Sequence, residues 1–232
     1  MEAIVLAGGR AERLGDAAAG RPKSLVDVAG RPLLAYQVAL LSRAGVERVI
    51  VSCAAGKGPE FEEELDGLGV EIVTVEEPEP LGRGGGLRFA ATARETTGDV
   101  YALNGDELVD LDLRALADRH RTGDAAATIT VVPLESHLGI VDLDDVDAVV
   151  GFREKPRLPH WVSCGVYVLG EEALARLPEH GDHETTTFPT LAAERKLLAY
   201  RHEGLWLTVN TPKDLRAAAE HVAANPGWPG AA

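Results

Sequence analysis

The chain reads as an α/β fold: a doubly wound, mostly parallel, Rossmann-like sheet with a strand-rich elaboration in the second half. Three observations predict it. Short apolar runs alternate with segments of helical period over residues 2–121, as expected of parallel strands joined by crossover helices. Glycine-rich loops follow the ends of those runs, where sheets of this kind open their clefts. Apolar residues make up 45% and charged residues 26% of the 232, enough for one large buried core.

Residues 2–7, Glu-Ala-Ile-Val-Leu-Ala, form a buried strand that ends in the turn Gly8-Gly9. Residues 10–31 hold Gly15, Gly20, Pro22 and Gly30 and read as a long loop. Pro32 opens a helix as its first residue, Leu34, Val38 and Leu41 recur at helical spacing, and Gly45 stops it. A strand over 46–52, a short acidic helix over 59–65 and a strand over 70–75 follow. The turn-rich stretch 76–86 precedes a helix over about 87–95. A fourth strand, 100–103, stops at Asn104-Gly105-Asp106, and a helix covers about 113–121. The second half offers strands at 126–132, 138–141, 148–153, 162–169 and 197–201, with helices near 171–177 and 212–224. A single unit, 1–232, is expected, with halves of 1–123 and 124–224. The prolines and glycines of the tail, 225–232, predict fraying.

A net charge of −14 excludes the basic surface that a nucleic-acid backbone requires and disfavours an anionic membrane surface. No apolar run approaches the roughly 20 residues of a membrane helix. The short apolar run 3–7 lacks the basic flank of a signal peptide. Cys53 and Cys164 supply neither a disulfide framework nor zinc spacing, which suits a reducing cytoplasm. A polyanionic small ligand would therefore need a local cationic cluster working against the overall field. Lysine occurs five times against eighteen arginines, and asparagine three times, so each lysine and asparagine invites a chemical reason.

The strongest signal is Leu6-Ala7-Gly8-Gly9-Arg10-Ala11-Glu12-Arg13-Leu14 followed by Arg21-Pro22-Lys23-Ser24-Leu25. Paired glycines after a strand let backbone N–H groups approach a ligand closely. Arg13 adds a planar fork and Lys23 a point charge, both suited to phosphate oxygens. Gly15 to Gly20 has the glycine spacing of a Walker loop, but Arg21-Pro22 follows it instead of Lys-Ser/Thr, so that reading fails. No Gly-x-Ser-x-Gly elbow supports a hydrolase.

These motifs resemble the family of nucleotidyltransferases that join sugar 1-phosphates to nucleotides. The family opens with a strand and Gly-Gly-x-Gly-Thr-Arg-Leu, then Pro-Lys. Here Gly8, Gly9, Arg13, Leu14, Pro22 and Lys23 are kept, with Ala11 for glycine and Glu12 for threonine. Pro80-Leu81-Gly82-Arg83-Gly84-Gly85 is similar to the family's base-reading Pro-Leu-Gly-Thr-Gly-Gly, with Arg83 for threonine. Asn104-Gly105-Asp106 matches Asn-Gly-Asp, whose aspartate holds magnesium in the family. Gly139 matches a glycine near the sugar. Phe152-Arg153-Glu154-Lys155-Pro156 resembles Phe-x-Glu-Lys-Pro, whose glutamate contacts sugar hydroxyls and whose lysine contacts the sugar phosphate. Cys164-Gly165-Val166-Tyr167-Val168-Leu169 resembles Ala-Gly-Ile-Tyr-Val-Leu. The closing Trp-x-Asp-Ile-Gly-Thr-Pro-x-Asp reads Trp206-Leu207-Thr208-Val209-Asn210-Thr211-Pro212-Lys213-Asp214. Thr208 replaces a second metal-binding aspartate. Uridylyltransferases of the family place an asparagine near this point, so the resemblance implies Asp106 and Asn210 as ligands for Mg2+. An N-cap for the helix at Pro212 is the competing role for Asn210.

The resemblance implies a magnesium-dependent, in-line displacement with release of pyrophosphate, closest to the short guanylyltransferases for heptose or mannose 1-phosphate. The NTP and the sugar 1-phosphate would be its partners, and Arg83 could offer guanine O6 and N7 two donors or point to solvent. It carries Leu6, Ala7, Gly8, Gly9, Arg13, Lys23, Gly82, Arg83 and Gly84 over as nucleotide-binding, and Gly139, Glu154 and Lys155 as sugar-phosphate-binding. Residues 1–123 thereby become the nucleotide half and 124–224 the sugar-phosphate half. Arg13, Lys23, Asp106 and Lys155 would carry catalysis. The chemistry itself needs them: a triphosphate of about four negative charges must meet a phosphate of about 1.5 to 2, so positioning and neutralisation dominate. Two rivals stand beside this reading. One is a cytidylyltransferase for phosphocholine, a phosphonate or a cyclitol phosphate; the other is a silent nucleotide-sugar sensor, favoured by Ala11, Glu12 and Thr208. Elsewhere, His180-Gly181-Asp182-His183 reads as a solvated loop, residues 60–64 as a solvated helix face, and Glu76, Glu77 and Glu79 as carboxylates at the mouth of the base loop. Trp206 either stacks on the sugar or packs.

Overall fold

The computed structural model describes residues 1–9 and 11–228. Its main sheet joins β1 (Ala3–Leu6), β4 (Arg48–Ala54), β5 (Glu71–Glu77), β6 (Val100–Asn104), β8 (Ala127–Glu135), β11 (Arg157–Leu169) and β12 (Leu197–Arg201). Three two-stranded ribbons accompany it: β2 (Asp27–Val28) with β3 (Arg31–Pro32), β7 (Glu107–Val109) with β13 (Trp206–Thr208), and β9 (Ile140–Leu143) with β10 (Val149–Arg153). The sheet order is β12-β8-β11-β6-β1-β4-β5. All its pairings are parallel except the two made by β11, which runs antiparallel to β6 and to β8. This is the doubly wound, mostly parallel sheet that the sequence predicts. Because β11 takes one neighbour from each half, the two halves share one sheet.

Strand alternation sets the two faces. Ala3 and Val5, Val49 and Val51, and Tyr101 and Leu103 face one core; Ile4, Ile50, Val100 and Ala102 face the other. The first core is covered by α1 (Leu33–Arg43), α2 (Gly58–Leu65) and α4 (Leu113–Arg121). The second is covered by α3 (Gly82–Ala90), α5 (Glu171–Ala175) and α6 (Thr187–Ala193). A third cluster joins Leu14, Val28, Tyr36, Leu108 and Val209 to α7 (Pro212–Ala224). No helix among the described residues is long and apolar enough to cross a membrane.

Several expectations are corrected. Pro32 is the residue before α1 and not its first, with an extended ψ of 139°. The loop 10–31 contains two 3-10 segments, Glu12–Ala18 and Lys23–Leu25. Helix α3 begins at Gly82, five residues before the periodic pattern starts. A Cβ at Gly85 would lie 2.4 Å from the Glu179 carbonyl oxygen, and one at Gly84 would lie 2.8 Å from the His183 nitrogen. Close packing therefore imposes glycine where helix propensity alone argues against a helix. The tail does not fray at Asn225: Trp228 is buried, with its ring 5.9 Å from those of Tyr36 and His221. The rest of that expectation, 229–232, lies outside the described residues.

Candidate functional site

A cavity of about 620 Å³ opens at the carboxyl ends of β1, β4, β5 and β6, touching Leu6, Ala54, Glu77 and Asn104. Gly8, Gly9 and Lys23 form one wall of it, Gly82 and Arg83 another, and Asp106 and Glu107 lie between. A second cavity, about 450 Å³, lies beyond Gly8 and Gly9 beneath the 3-10 loop. A third, about 190 Å³, is lined by Arg13, Lys23 and Asn210. Lys23 thus borders both the first and the third.

The first and third cavities meet at one ion pair. Lys23 Nζ donates to Asp106 Oδ2 at 2.5 Å and to Asn210 Oδ1 at 2.6 Å. These residues lie far apart in sequence, and separate devices bring them together. The Asn104-Gly105-Asp106 turn is held from beneath by the buried Gln37 of α1, whose Nε2 donates to the Asn104 and Glu107 carbonyls at 2.8 and 2.6 Å. The pairing of β13 with β7 sets Thr208 opposite Glu107, and Val209 N–H donates to the Asp106 carbonyl at 3.0 Å. The helix cap is Thr211, not Asn210. Thr211 and Asp214 form a reciprocal capping box at the start of α7, worth about 1 kcal/mol. Asp214 also accepts from the Asn210 N–H at 3.2 Å, which leaves the Asn210 amide side chain for Lys23.

Two hard oxygens, one carboxylate and one amide carbonyl, therefore aim at a single cationic nitrogen. Such a pair fits magnesium, which takes one or two protein oxygens and completes its shell with water and phosphate. No cluster of three or more His, Cys, Asp or Glu suited to a metal occurs among the described residues.

Glu107 escaped sequence reasoning. It is buried beside Asp106, accepts from Trp206 Nε1 at 2.7 Å, and has its pKa pushed up to about 8, chiefly by burial and against the Trp206 hydrogen bond. Gly165, at φ 72°, leaves the space: a Cβ there would lie 2.5 Å from Asn104 Nδ2 and 2.8 Å from Glu107 Oε1. The only sequence signal was a carboxylate heading the apolar run Leu108-Val109. Trp206 accordingly packs and anchors.

At the loop expected to read the base, Arg83 Nε donates to Asp182 Oδ2 at 2.8 Å, and its Nη2 meets both Asp182 and Glu184. The 180–184 segment is thus a clamp on the glycine loop and not a solvated one. Gly84 N–H donates to the Gly181 carbonyl, Gly181 N–H to the Leu81 carbonyl, and His183 is fully buried against Tyr167 and Phe188. Glu77 accepts from Ser52 Oγ and Leu81 N–H, while Glu79 faces His180 at 3.2 Å. Glu76 turns away to cap α2, and the Gly56 and Gly58 N–H groups hold its pKa down. In α2 itself, Glu60 and Glu64 pair with Arg21 and are not simply solvated.

The residues expected on the acceptor side do not join this constellation. Gly139, Glu154 and Lys155 line none of the three cavities, and the Glu154 and Lys155 side chains are 65% and 66% exposed.

The model of the nucleotidyl transferase family matches residues 2–225. The chain belongs to that family. Among curated relatives, this nucleotidyl transferase is 34% identical over 96% of its length to the mannose-1-phosphate guanylyltransferase of Mycobacterium tuberculosis. It is 31% identical over 91% of its length to the mannose-1-phosphate guanylyltransferase catalytic subunit beta of Drosophila pseudoobscura pseudoobscura. It spans 65% and 60% of those two proteins. Its fold matches HddC of Yersinia pseudotuberculosis, solved in complex with GMP-PN, with a TM-score of 0.73 at 23% identity, over 95% of this chain and 98% of that one.

Proposed function

We propose that this nucleotidyl transferase moves a nucleoside monophosphate from an NTP to a sugar 1-phosphate, releasing pyrophosphate, with GTP and an aldose phosphate of the mannose or heptose type as its pair. The observation that carries the reading is the Lys23 bridge to Asp106 and Asn210 at the floor of a cavity walled by Gly8, Gly9, Gly82 and Arg83. The guanylyltransferase names of its relatives support GTP.

In this reading the backbone N–H groups of Gly8 and Gly9 face the triphosphate, and Arg13 and Lys23 neutralise it from the two cavities they border. Asp106 and Asn210 would hold Mg2+, which when bound supplies charge neutralisation between the reacting phosphates. Lys23 then exchanges its two protein oxygens for phosphate oxygens. Arg83 does not read guanine: its carboxylate partners Asp182 and Glu184 make it a strap that fixes the base loop. Glu154 and Lys155 bind the acceptor once the exposed ribbon beside them is ordered over the cleft.

A panel of four NTPs against mannose, heptose and other aldose 1-phosphates and phosphocholine, read by pyrophosphate release, tests this. Magnesium-dependent release with GTP and an aldose phosphate is expected. Turnover of phosphocholine alone would install the cytidylyltransferase, and nucleotide-sugar binding without any release would install the sensor.

A further inference from the structure

Asp106 immediately precedes β7, and Asn210 lies two residues past β13, so the ribbon that these strands form sets how their side chains meet. The ribbon is three residues long on each side and pairs with no other strand among the described residues. Two strands of that length are marginal by themselves. Backbone hydrogen bonds can form in any register, and the side chains choose one. Alternation places Leu108 and Leu207 in the third apolar cluster, and Val109 and Trp206 in the first. That pattern excludes a slip by one residue. A slip by two that set Asn210 opposite Glu107 would keep every side chain on its own face. It would also carry Asn210 about 7 Å along the ribbon, at roughly 3.4 Å per residue.

Glu107 opposes that slip. It stands opposite Thr208, is 7% exposed, and accepts diagonally from Trp206 Nε1 at 2.7 Å. This is the only side-chain hydrogen bond between the two strands among the described residues. In the slipped register the carboxylate would be buried without its donor, which is costly. The other ties do not do the same work. Gln37 holds the Glu107 carbonyl to α1, which places β7 but leaves β13 free to slide. The bond from Val209 N–H to the Asp106 carbonyl is of the kind that any register offers.

A buried carboxylate is a poor way to fill space, and the best-attested use of buried polar groups is to fix registry. We infer that Glu107 is a positioning residue: its hydrogen bond to Trp206 locks the β7–β13 register and so brings the Asp106 and Asn210 oxygens to one point. The inference rests on the proposed reading, in which those oxygens hold Mg2+.

The test is the magnesium-dependent part of GTP affinity, measured by calorimetry in excess Mg2+ and again in EDTA, with no acceptor present. The wild type is expected to bind GTP more tightly in Mg2+. Glu107→Leu removes the acceptor and Trp206→Phe removes the donor. Each should weaken GTP binding about tenfold in Mg2+ and leave it unchanged in EDTA. Glu107→Gln keeps an acceptor for Trp206 and should keep the wild-type affinity. The Asn104 amide, whose buried Oδ1 has no partner, can turn to accept from the glutamine N–H. If Asp106→Ala loses the magnesium gain while Glu107→Leu and Trp206→Phe keep it, the inference falls and the proposed function stands. A Glu107→Gln variant that loses the gain also overturns the inference, because charge and not register would then matter. Equal losses in Mg2+ and EDTA mark Glu107 as merely structural and overturn it too. A wild type with no magnesium gain, or an Asp106→Ala variant that keeps it, removes the metal assignment itself and the inference with it.

Discussion

On one side of the cleft, Lys23 is 9% exposed and tied by two short hydrogen bonds to Asp106 and Asn210. On the other, the Lys155 side chain is 66% exposed, and its ion-pair partner, Glu154, stands 3.9 Å away. The two lysines resemble family motifs equally well, yet the fold spends very different effort on them. Gln37, the β7–β13 pairing and the Thr211–Asp214 box all converge on the Lys23 side. Lys155 hangs beside a ribbon with two open edges. On the proposed reading, the free protein is preorganised on the nucleotide side, and the acceptor side is left to be completed on binding; such prior ordering lowers the cost of binding.

Asp106→Ala attacks the ordered side at its centre and should lower kcat by on the order of 10³-fold, with circular dichroism unchanged because Asp106 is part-exposed. Retained turnover would dissolve the comparison. Lys155→Ala should raise the acceptor KM roughly ten- to a hundredfold, the worth of one charge-assisted hydrogen bond, and leave the nucleotide KM in place; steady-state kinetics with each substrate varied in turn measures the split. Asp182→Asn slackens the strap on Arg83 and should raise the nucleotide KM a few-fold, in keeping with the ~1 kcal/mol ceiling of half-exposed ion pairs. A shift in the acceptor KM instead would put Arg83 on the wrong side of the comparison.

The smallest effect concerns pH. Burial holds the His183 pKa below its ordinary 6.5, so the unfolded chain takes up a proton that the folded one refuses. The neutral buried ring is favourable above pH 6.5, and stability is lost as pH falls below it. His183→Leu should flatten that acid limb in a plot of Tm against pH.

Much of this was legible in the residues themselves. The expected limits of α4 and α7 match the structure, with Pro212 marking one start in the residues themselves, but the caps Asp112 and Thr211 come from the structure, Asn210 being the cap that the sequence offered. The strand ends and the turn at Asp106 followed from apolar runs broken by glycine. What stayed hidden depended on distant partners. Gly82, Gly84 and Gly85 of α3 are packed against residues 178–183 too closely for a Cβ, and α6 opens on Thr187-Phe188-Pro189, which no local rule favours. The anchoring of Glu107 by Trp206 and the clamp on Arg83 each need a neighbour a hundred or so residues away. The ribbon strands were readable at 138–141 and 148–153, but nothing local says that they leave the main sheet.

The place of β11 between β6 and β8 reaches back to how the molecule is made. Every main-sheet strand of the first half can pair as it emerges from the ribosome, except that β6 keeps one bare edge until Val166 to Leu169 has been synthesised; outside that sheet, β7 waits for Trp206 to Thr208. More than sixty residues of nascent chain thus follow an apolar edge that has no partner, and unpaired edges of that kind invite other chains. Pauses in translation before residue 169 would be more damaging than pauses after it.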